Sequence, residues 1–136
     1  MQSITLRSEP RSVGRARHFV TAACIERHID PLVAELLASE LATNAVRYAK
    51  SEFTVRVDFT PCVRVEVHDG LAATNTFREI VTNPPALSID APGGRGLPLV
   101  GRLSSRFGVD DDRGIWNGKI VWFELDAETV GVASPW

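Results

Sequence analysis

The residues of this chain that are best suited to chemistry are a glutamate and an asparagine one helical turn apart. Glu40 and Asn44 lie in the run 31–49, PLVAELLASELATNAVRYA, whose apolar residues recur at helical spacing. The predicted apolar stripe consists of Val33, Leu36, Leu37, Leu41, Ala45 and Tyr48. Because residues three and four apart are neighbours on a helix, Glu40 and Asn44 should lie along this stripe.

The Glu40 carboxylate and the Asn44 amide should therefore face the same partly buried region. Leaving the Glu40 carboxylate unpaired there would cost roughly several kcal/mol, so we expect water, a metal, a ligand or a cationic side chain beside it. The alternative is an ordinary polar pair at the edge of the stripe.

A second candidate is Asp69, at the end of a predicted strand. It is in phase with Val63, Val65 and Val67, so its carboxylate should face the core as their side chains do. Gly70, a turn former, follows it. An inward carboxylate at a strand end suits recognition of a polar edge such as an amine. The alternative is an Asp-Gly turn whose carboxylate binds its own backbone.

A third candidate is a glycine cluster just before a predicted helix, Gly93-Gly94-Arg95-Gly96-Leu97. Small residues let a phosphate approach the backbone, and the free N–H groups at the helix start then attract an anion. The spacing is not that of a Walker-type phosphate loop. A flexible loop entering a helix is the competing interpretation.

The elements that position these residues follow from periodicity and turn residues. The predicted order is strand Ile4–Arg7, helix Pro10–His28, helix Pro31–Lys50, strands Phe53–Phe59 and Val63–His68, helix Gly96–Ser105, and strands Phe107–Asp110 and Lys119–Leu125. This order predicts an α+β fold, a two-layer α/β sandwich with a mostly antiparallel mixed sheet and its helices on one face. The aperiodic stretch Leu71–Gly94 is expected to be a mobile or functional loop.

Composition limits the class of protein. The chain has 136 residues, enough for one domain, with 44% hydrophobic and 24% charged residues. A net charge of −2 argues against a general nucleic-acid or membrane-surface binder. We expect no membrane span and no signal peptide. Cys24 and Cys62 are isolated, which favours reduced thiols and a cytoplasmic location.

In this order, the motifs resemble the Bergerat-fold ATP-binding family of histidine-kinase, gyrase and heat-shock-chaperone type ATPases. Residues 40–49, ELATNAVRYA, resemble the family's N box, and residues 65–70, VEVHDG, resemble the box that reads adenine. Residues 94–100, GRGLPLV, resemble the glycine box, and residues 118–125, GKIVWFEL, resemble the last strand. Within the family the chain is most similar to short bacterial anti-sigma-factor serine/threonine kinases of the actinobacterial type.

The resemblance implies a role for each candidate residue, with ATP and Mg²⁺ as cofactors. Asn44 would hold Mg²⁺ and Glu40 would be the general base. Asp69 and Gly70 would form the adenine site. Gly94, Arg95, Gly96 and Leu97 would form the phosphate site, and residues 71–94 would be a mobile ATP lid.

The resemblance also implies the partners and the reaction. The protein would phosphorylate a serine or threonine of a small antagonist protein and would bind a sigma factor, with the partners competing. Direct contact with nucleic acid or membrane is not expected, and a homodimer is compatible with the family.

Other functions stay open. Intact Glu40 favours an enzyme. Two departures from the family pattern favour a nucleotide-dependent protein-binding module with little or no catalysis: the run Leu71-Ala72-Ala73 after the adenine box, and Ile120 where a threonine is frequent. An ATPase subunit that couples hydrolysis to a conformational change is a third alternative. His68 is expected to be a surface residue. Lys119 is expected to be a solvated strand lysine, with a phosphate contact as the alternative.

Overall fold

The computed structural model describes residues 1–72, 96–112 and 118–127. Its elements are β1 (Gln2–Leu6), α1 (Arg11–Glu26), α2 (Leu32–Asn44), β2 (Phe53–Asp58), β3 (Val63–Asp69), α3 (Gly96–Leu103), β4 (Arg106–Asp111) and β5 (Lys119–Leu125). The predicted elements are therefore present, with ends shifted by a few residues. Except for Leu71 and Ala72, the predicted lid lies outside the described residues. Among the described helices, none combines the length and apolar character needed to span a membrane.

The strands form one sheet in the order β1-β2-β3-β5-β4. All four strand pairings are antiparallel. Helices α1 and α2 pack on each other and against the sheet, and α3 packs against α2. The predicted α+β sandwich is confirmed, with a described sheet that is wholly antiparallel rather than mixed.

The core lies between the sheet and the helices because buried and partly exposed side chains alternate along β2, β5 and most of β3. The buried side chains of β2, β3 and β5 are Phe53, Val55, Val57, Val63, Val65, Val67, Val121, Phe123 and Leu125. Ala16, Val20 and Ala23 of α1 are buried. Burying a large apolar side chain contributes about 1.5–3 kcal/mol, so this row of residues fixes the register of the sheet.

The predicted stripe of α2 is wrong at two positions. Leu37, Leu41 and Ala45 are buried, but Leu36 and Tyr48 are 38% and 54% exposed. Because α2 packs against α1 as well as the sheet, its buried face extends to Ala34, Ala38 and Ala42 and turns away from Leu36. Tyr48 lies in a π-helical turn, Ala45–Ala49, whose wider winding shifts its phase relative to α2.

The α2 segment starts one residue later than predicted and ends near the predicted position. Pro31 occupies the N-cap position, and the Leu32 N–H donates to Asp30 Oδ1 at 3.0 Å, so Asp30 still satisfies a free donor of the first turn. After the π-helical turn, Lys50 adopts a left-handed conformation with φ of 52°. This ends the helix where the sequence predicts and directs the chain into β2.

Candidate functional site

The predicted pair on α2 lies at the margin of the buried face of that helix. Glu40 and Asn44 are both half-buried, next in angular position to the buried Leu37 and Leu41. Neither side chain forms a hydrogen bond or an ion pair within the part of the chain that the structure describes. The neighbouring Thr43, by contrast, donates its hydroxyl to the Ser39 carbonyl at 2.7 Å. Carboxylate and amide oxygens are thus presented without an internal partner, on one face and one turn apart.

The π-helical turn joins this pair to the end of β3. Both α2 and the turn pack against β3. Ser51, just after the turn, accepts a hydrogen bond from the Gly70 N–H on its Oγ at 3.0 Å. A Cβ added to Gly70 would lie 3.1 Å from that Oγ, so glycine suits the close contact. The segment after the turn is therefore bonded to the end of β3, while α2 itself packs against the same strand.

Asp69 is buried as the alternation predicts, with 3% of its surface exposed. Its carboxylate is not alone, because Lys119 lies directly opposite it in the β3–β5 register. The Lys119 Nζ is 3.1 Å from both Oδ1 and Oδ2 of Asp69, and it also donates to the Leu71 carbonyl at 3.2 Å. The Leu71 N–H donates to Asp69 Oδ1 at 2.9 Å. Asp69 is therefore both an Asp-Gly turn residue and half of a buried ion pair.

The expectation that Lys119 is solvated is wrong, since only 6% of its surface is exposed. Its position is in phase with Val121, Phe123 and Leu125, all of which face the core. Alternation along β5 could have identified it as an inward lysine. The same alternation puts Ile120 on the opposite face, in register with His68 and Asp110. Ile120 therefore does not stand beside Asp69, and Lys119 occupies the inward position.

Gly118 is a second residue that the motif comparison did not single out as functional. A Cβ at this position would meet the Asp69 carbonyl oxygen at 1.8 Å and the Gly70 carbonyl carbon at 2.8 Å. Real Cβ atoms do not come so close, and both contacts are with backbone. Gly118 is therefore required for β5 to start directly against the end of β3, which brings Lys119 to Asp69.

His68 is also covered, contrary to the predicted surface histidine, although it lies on the outer sheet face. Its Nε2 is 2.8 Å from Glu66 Oε1 and its Nδ1 is 3.5 Å from Asp112 Oδ2. The hydrogen bond with His68 and the Arg64 guanidinium lower the pKa of Glu66 to about 2, against the opposing effect of burial. Arg64 also stacks 4.2 Å from the Trp122 ring. These contacts form a cross-strand charge network on the face away from Asp69.

Of the glycine motif, the structure describes Gly96 and Leu97. Gly96 begins α3, and Leu97 and Val100 of that helix are buried where α3 packs against α2. Gly94 and Arg95 lie outside the described residues. The structure thus brings α2, which carries Glu40 and Asn44, into contact with β3 and with the helix that the glycine motif begins.

The donor set can be tested against a magnesium nucleotide. Mg²⁺ takes oxygen ligands, and the half-buried Glu40 and Asn44 supply oxygens that no described residue uses. A buried carboxylate at the end of β3 supplies an acceptor suited to an amino group on a base. The described residues of the site therefore fit a magnesium-bound adenine nucleotide.

Comparison with known protein families identifies the family of the chain. The model of the family described as histidine kinase-like ATPase domain matches residues 6–124, which is most of the chain. The comparison with curated proteins found no match. The match includes α2, the β3 end and nearly all of β5, so every described part of the site lies within it. The chain belongs to the histidine kinase-like ATPase domain family, whose members bind ATP.

Proposed function

We propose that this protein is a Mg·ATP-dependent regulatory kinase that phosphorylates a serine or threonine of a small antagonist protein and also binds a sigma factor. The observation that carries the proposal is the pair on α2. Glu40 and Asn44 are half-buried, one turn apart and without a partner among the described residues, at the helix end that meets β3.

Each residue would have a distinct task. The Asn44 amide oxygen would hold Mg²⁺, which when bound neutralises phosphate charge and aligns the reacting groups. A Glu40 carboxylate oxygen would accept the proton of the attacking hydroxyl. Asp69 would accept a hydrogen bond from the adenine amino group. Gly94, Arg95, Gly96 and Leu97 would bind the phosphates at the start of α3.

A nucleotide-dependent binding module with little catalysis is the second candidate. It is favoured by the run Leu71-Ala72-Ala73 after the adenine box, which departs from the family pattern. In this case the protein would bind a sigma factor or its antagonist according to nucleotide state and would transfer no phosphate.

The two candidates are separated by one assay with two readouts. Wild-type protein is incubated with labelled ATP, Mg²⁺ and purified anti-sigma antagonist proteins, and ATP binding is measured in parallel by calorimetry. Phosphate on a serine or threonine of an antagonist supports the kinase. Confirmed Mg·ATP binding without transfer to any antagonist supports the module, and failure to bind Mg·ATP overturns both.

Two substitutions assign the roles. Asn44→Ala should abolish Mg-dependent binding, and Asn44→Asp, which keeps an oxygen at the same place, should retain part of it. Glu40→Gln should bind Mg·ATP normally but transfer phosphate about 10²–10⁴-fold more slowly, the usual contribution of a placed proton acceptor. Glu26→Gln, an exposed glutamate at the end of α1, is the matched control and should behave as wild type.

A further inference from the structure

The buried ion pair between Asp69 and Lys119 has a consequence for base recognition. The two residues are 3% and 6% exposed and lie opposite each other at the ends of β3 and β5. The Gly118 backbone, packed against the Asp69 carbonyl, keeps the start of β5 beside it. The strand pairing therefore places Lys119 beside Asp69 at this end of the sheet.

The acceptor positions of Asp69 can be counted. An ionised carboxylate has about four lone-pair positions, two on each oxygen. Oδ1 accepts from the Leu71 N–H at 2.9 Å and from the Lys119 Nζ at 3.1 Å, so both of its positions are taken. Oδ2 lies 3.1 Å from the same ammonium as an ion-pair contact. Among the described contacts, Oδ2 is therefore the one carboxylate oxygen that accepts no hydrogen bond.

We infer that Lys119 determines which purine this site accepts, because it occupies Oδ1 of Asp69 and leaves a single accepting oxygen, Oδ2. This inference rests on the proposed ATP site. Adenine needs one acceptor for its 6-amino group. Guanine presents two adjacent donors, N1–H and the 2-amino group, which a carboxylate binds best with both oxygens. With Oδ1 occupied, the second guanine donor is left without a partner and faces a positive ammonium.

The test compares three nucleotides on the full-length protein by calorimetry with Mg²⁺ present. ATP should bind best. Inosine triphosphate, whose base has the N1–H donor but no 2-amino group, should bind more tightly than GTP. This order needs no variant, and GTP binding as tightly as inosine triphosphate would show that Asp69 accepts two donors and would overturn the inference.

Variants then assign the effect to the lysine. Lys119→Met should reduce the ATP-over-GTP preference by at least about tenfold, because it frees acceptor positions for a contact of ordinary hydrogen-bond strength. Lys119→Arg keeps paired donors and should keep the preference, and Lys50→Met, at the other lysine of the chain, should match wild type. An unchanged preference in folded Lys119→Met would overturn the inference and leave the proposed function intact. Failure of the wild-type protein to bind Mg·ATP would overturn the proposed function itself.

Discussion

Removing the charge of Lys119 should destabilise the fold strongly, and removing the charge of its partner as well should restore much of the loss. Lys119→Met leaves the Asp69 carboxylate, 3% exposed, without its counter-ion. Breaking a buried pair by removing one partner typically costs about 3–5 kcal/mol, whereas replacing both charges is often nearly neutral. The double variant Asp69→Asn/Lys119→Met keeps an oxygen for the Leu71 N–H and should lie within about 2 kcal/mol of wild type.

The expected change in melting temperature follows from the length of the chain. An unfolding entropy of about 2.1 cal/mol/K per residue gives roughly 0.29 kcal/mol/K for 136 residues. A loss of about 3–5 kcal/mol then lowers the melting temperature by roughly 10–17 °C. Since a domain is stable by about 5–15 kcal/mol, the single variant should stay folded at low temperature but be marginal when warmed.

Urea and thermal unfolding of wild type, both single variants and the double variant provide a double-mutant cycle. Arg11→Met is the control. It removes a shorter ion pair, 2.8 Å from Glu9, whose arginine side chain is 78% exposed, and it should change stability little because water screens the charges. If the two single losses add to the loss of the double variant, the pair is not desolvated. The structural basis for a restricted Asp69 would then be refuted as well.

Three further predictions concern charge, backbone approach and thiol chemistry. The pKa of Glu66 is lowered from 4.5 to about 2, so its contribution is complete above pH 4.5 and lost as the pH falls toward 2. Wild type should lose about 1–2 kcal/mol more than Glu66→Gln over that window, after allowance for partial exposure, and parallel pH profiles would contradict this. Gly118→Ala should destabilise the protein and weaken nucleotide binding, because its Cβ would lie 1.8 Å from the Asp69 carbonyl oxygen. Gly14→Ala, a helical position with nothing within 4 Å, should instead add roughly 0.5–1 kcal/mol in urea unfolding. Burial raises the pKa of the Cys24 thiol to about 11, so iodoacetamide at pH 8 should label Cys24 only after unfolding; labelling of the folded protein there would contradict its burial.

The parts of the fold that the sequence predicts well are those set by a simple period. In β2 and β3, inward and outward positions alternate along the sequence, and the observed burial follows that alternation except at His68, which is covered on the outer face. The α2 segment ends near Lys50 as predicted, where the chain adopts a left-handed conformation. Local periodicity predicts these features because the position of a residue in the repeat determines whether its side chain faces the core or the solvent.

The errors come from contacts between elements that are distant in sequence. Leu36 is exposed because α2 packs against α1 as well as the sheet. His68 is covered by Asp112, 44 positions later in the chain. The charge of Lys119 predicts a solvent-exposed side chain, although its phase along β5 indicates burial. Only the strand pairing reveals that a carboxylate lies opposite it. Such partners are tertiary information that a single-strand pattern does not contain.

The position of the ion pair itself argues for a function beyond stability. Asp69 continues the apolar row of β3, and Lys119 continues the apolar row of β5, so both charges stand where apolar residues would extend the core. Buried ion pairs generally stabilise a fold no better than well-packed apolar residues of the same volume. A fold that needed only stability could therefore continue both rows with valine. The Asp69 carboxylate is instead fixed in orientation by an ammonium and a backbone N–H, which leave Oδ2 as the accepting oxygen. Gly118 holds the strand ends together at the Asp69 backbone carbonyl. The proposed recognition of a single amino group would use this fixed oxygen, whereas a hydrophobic core would have no use for it.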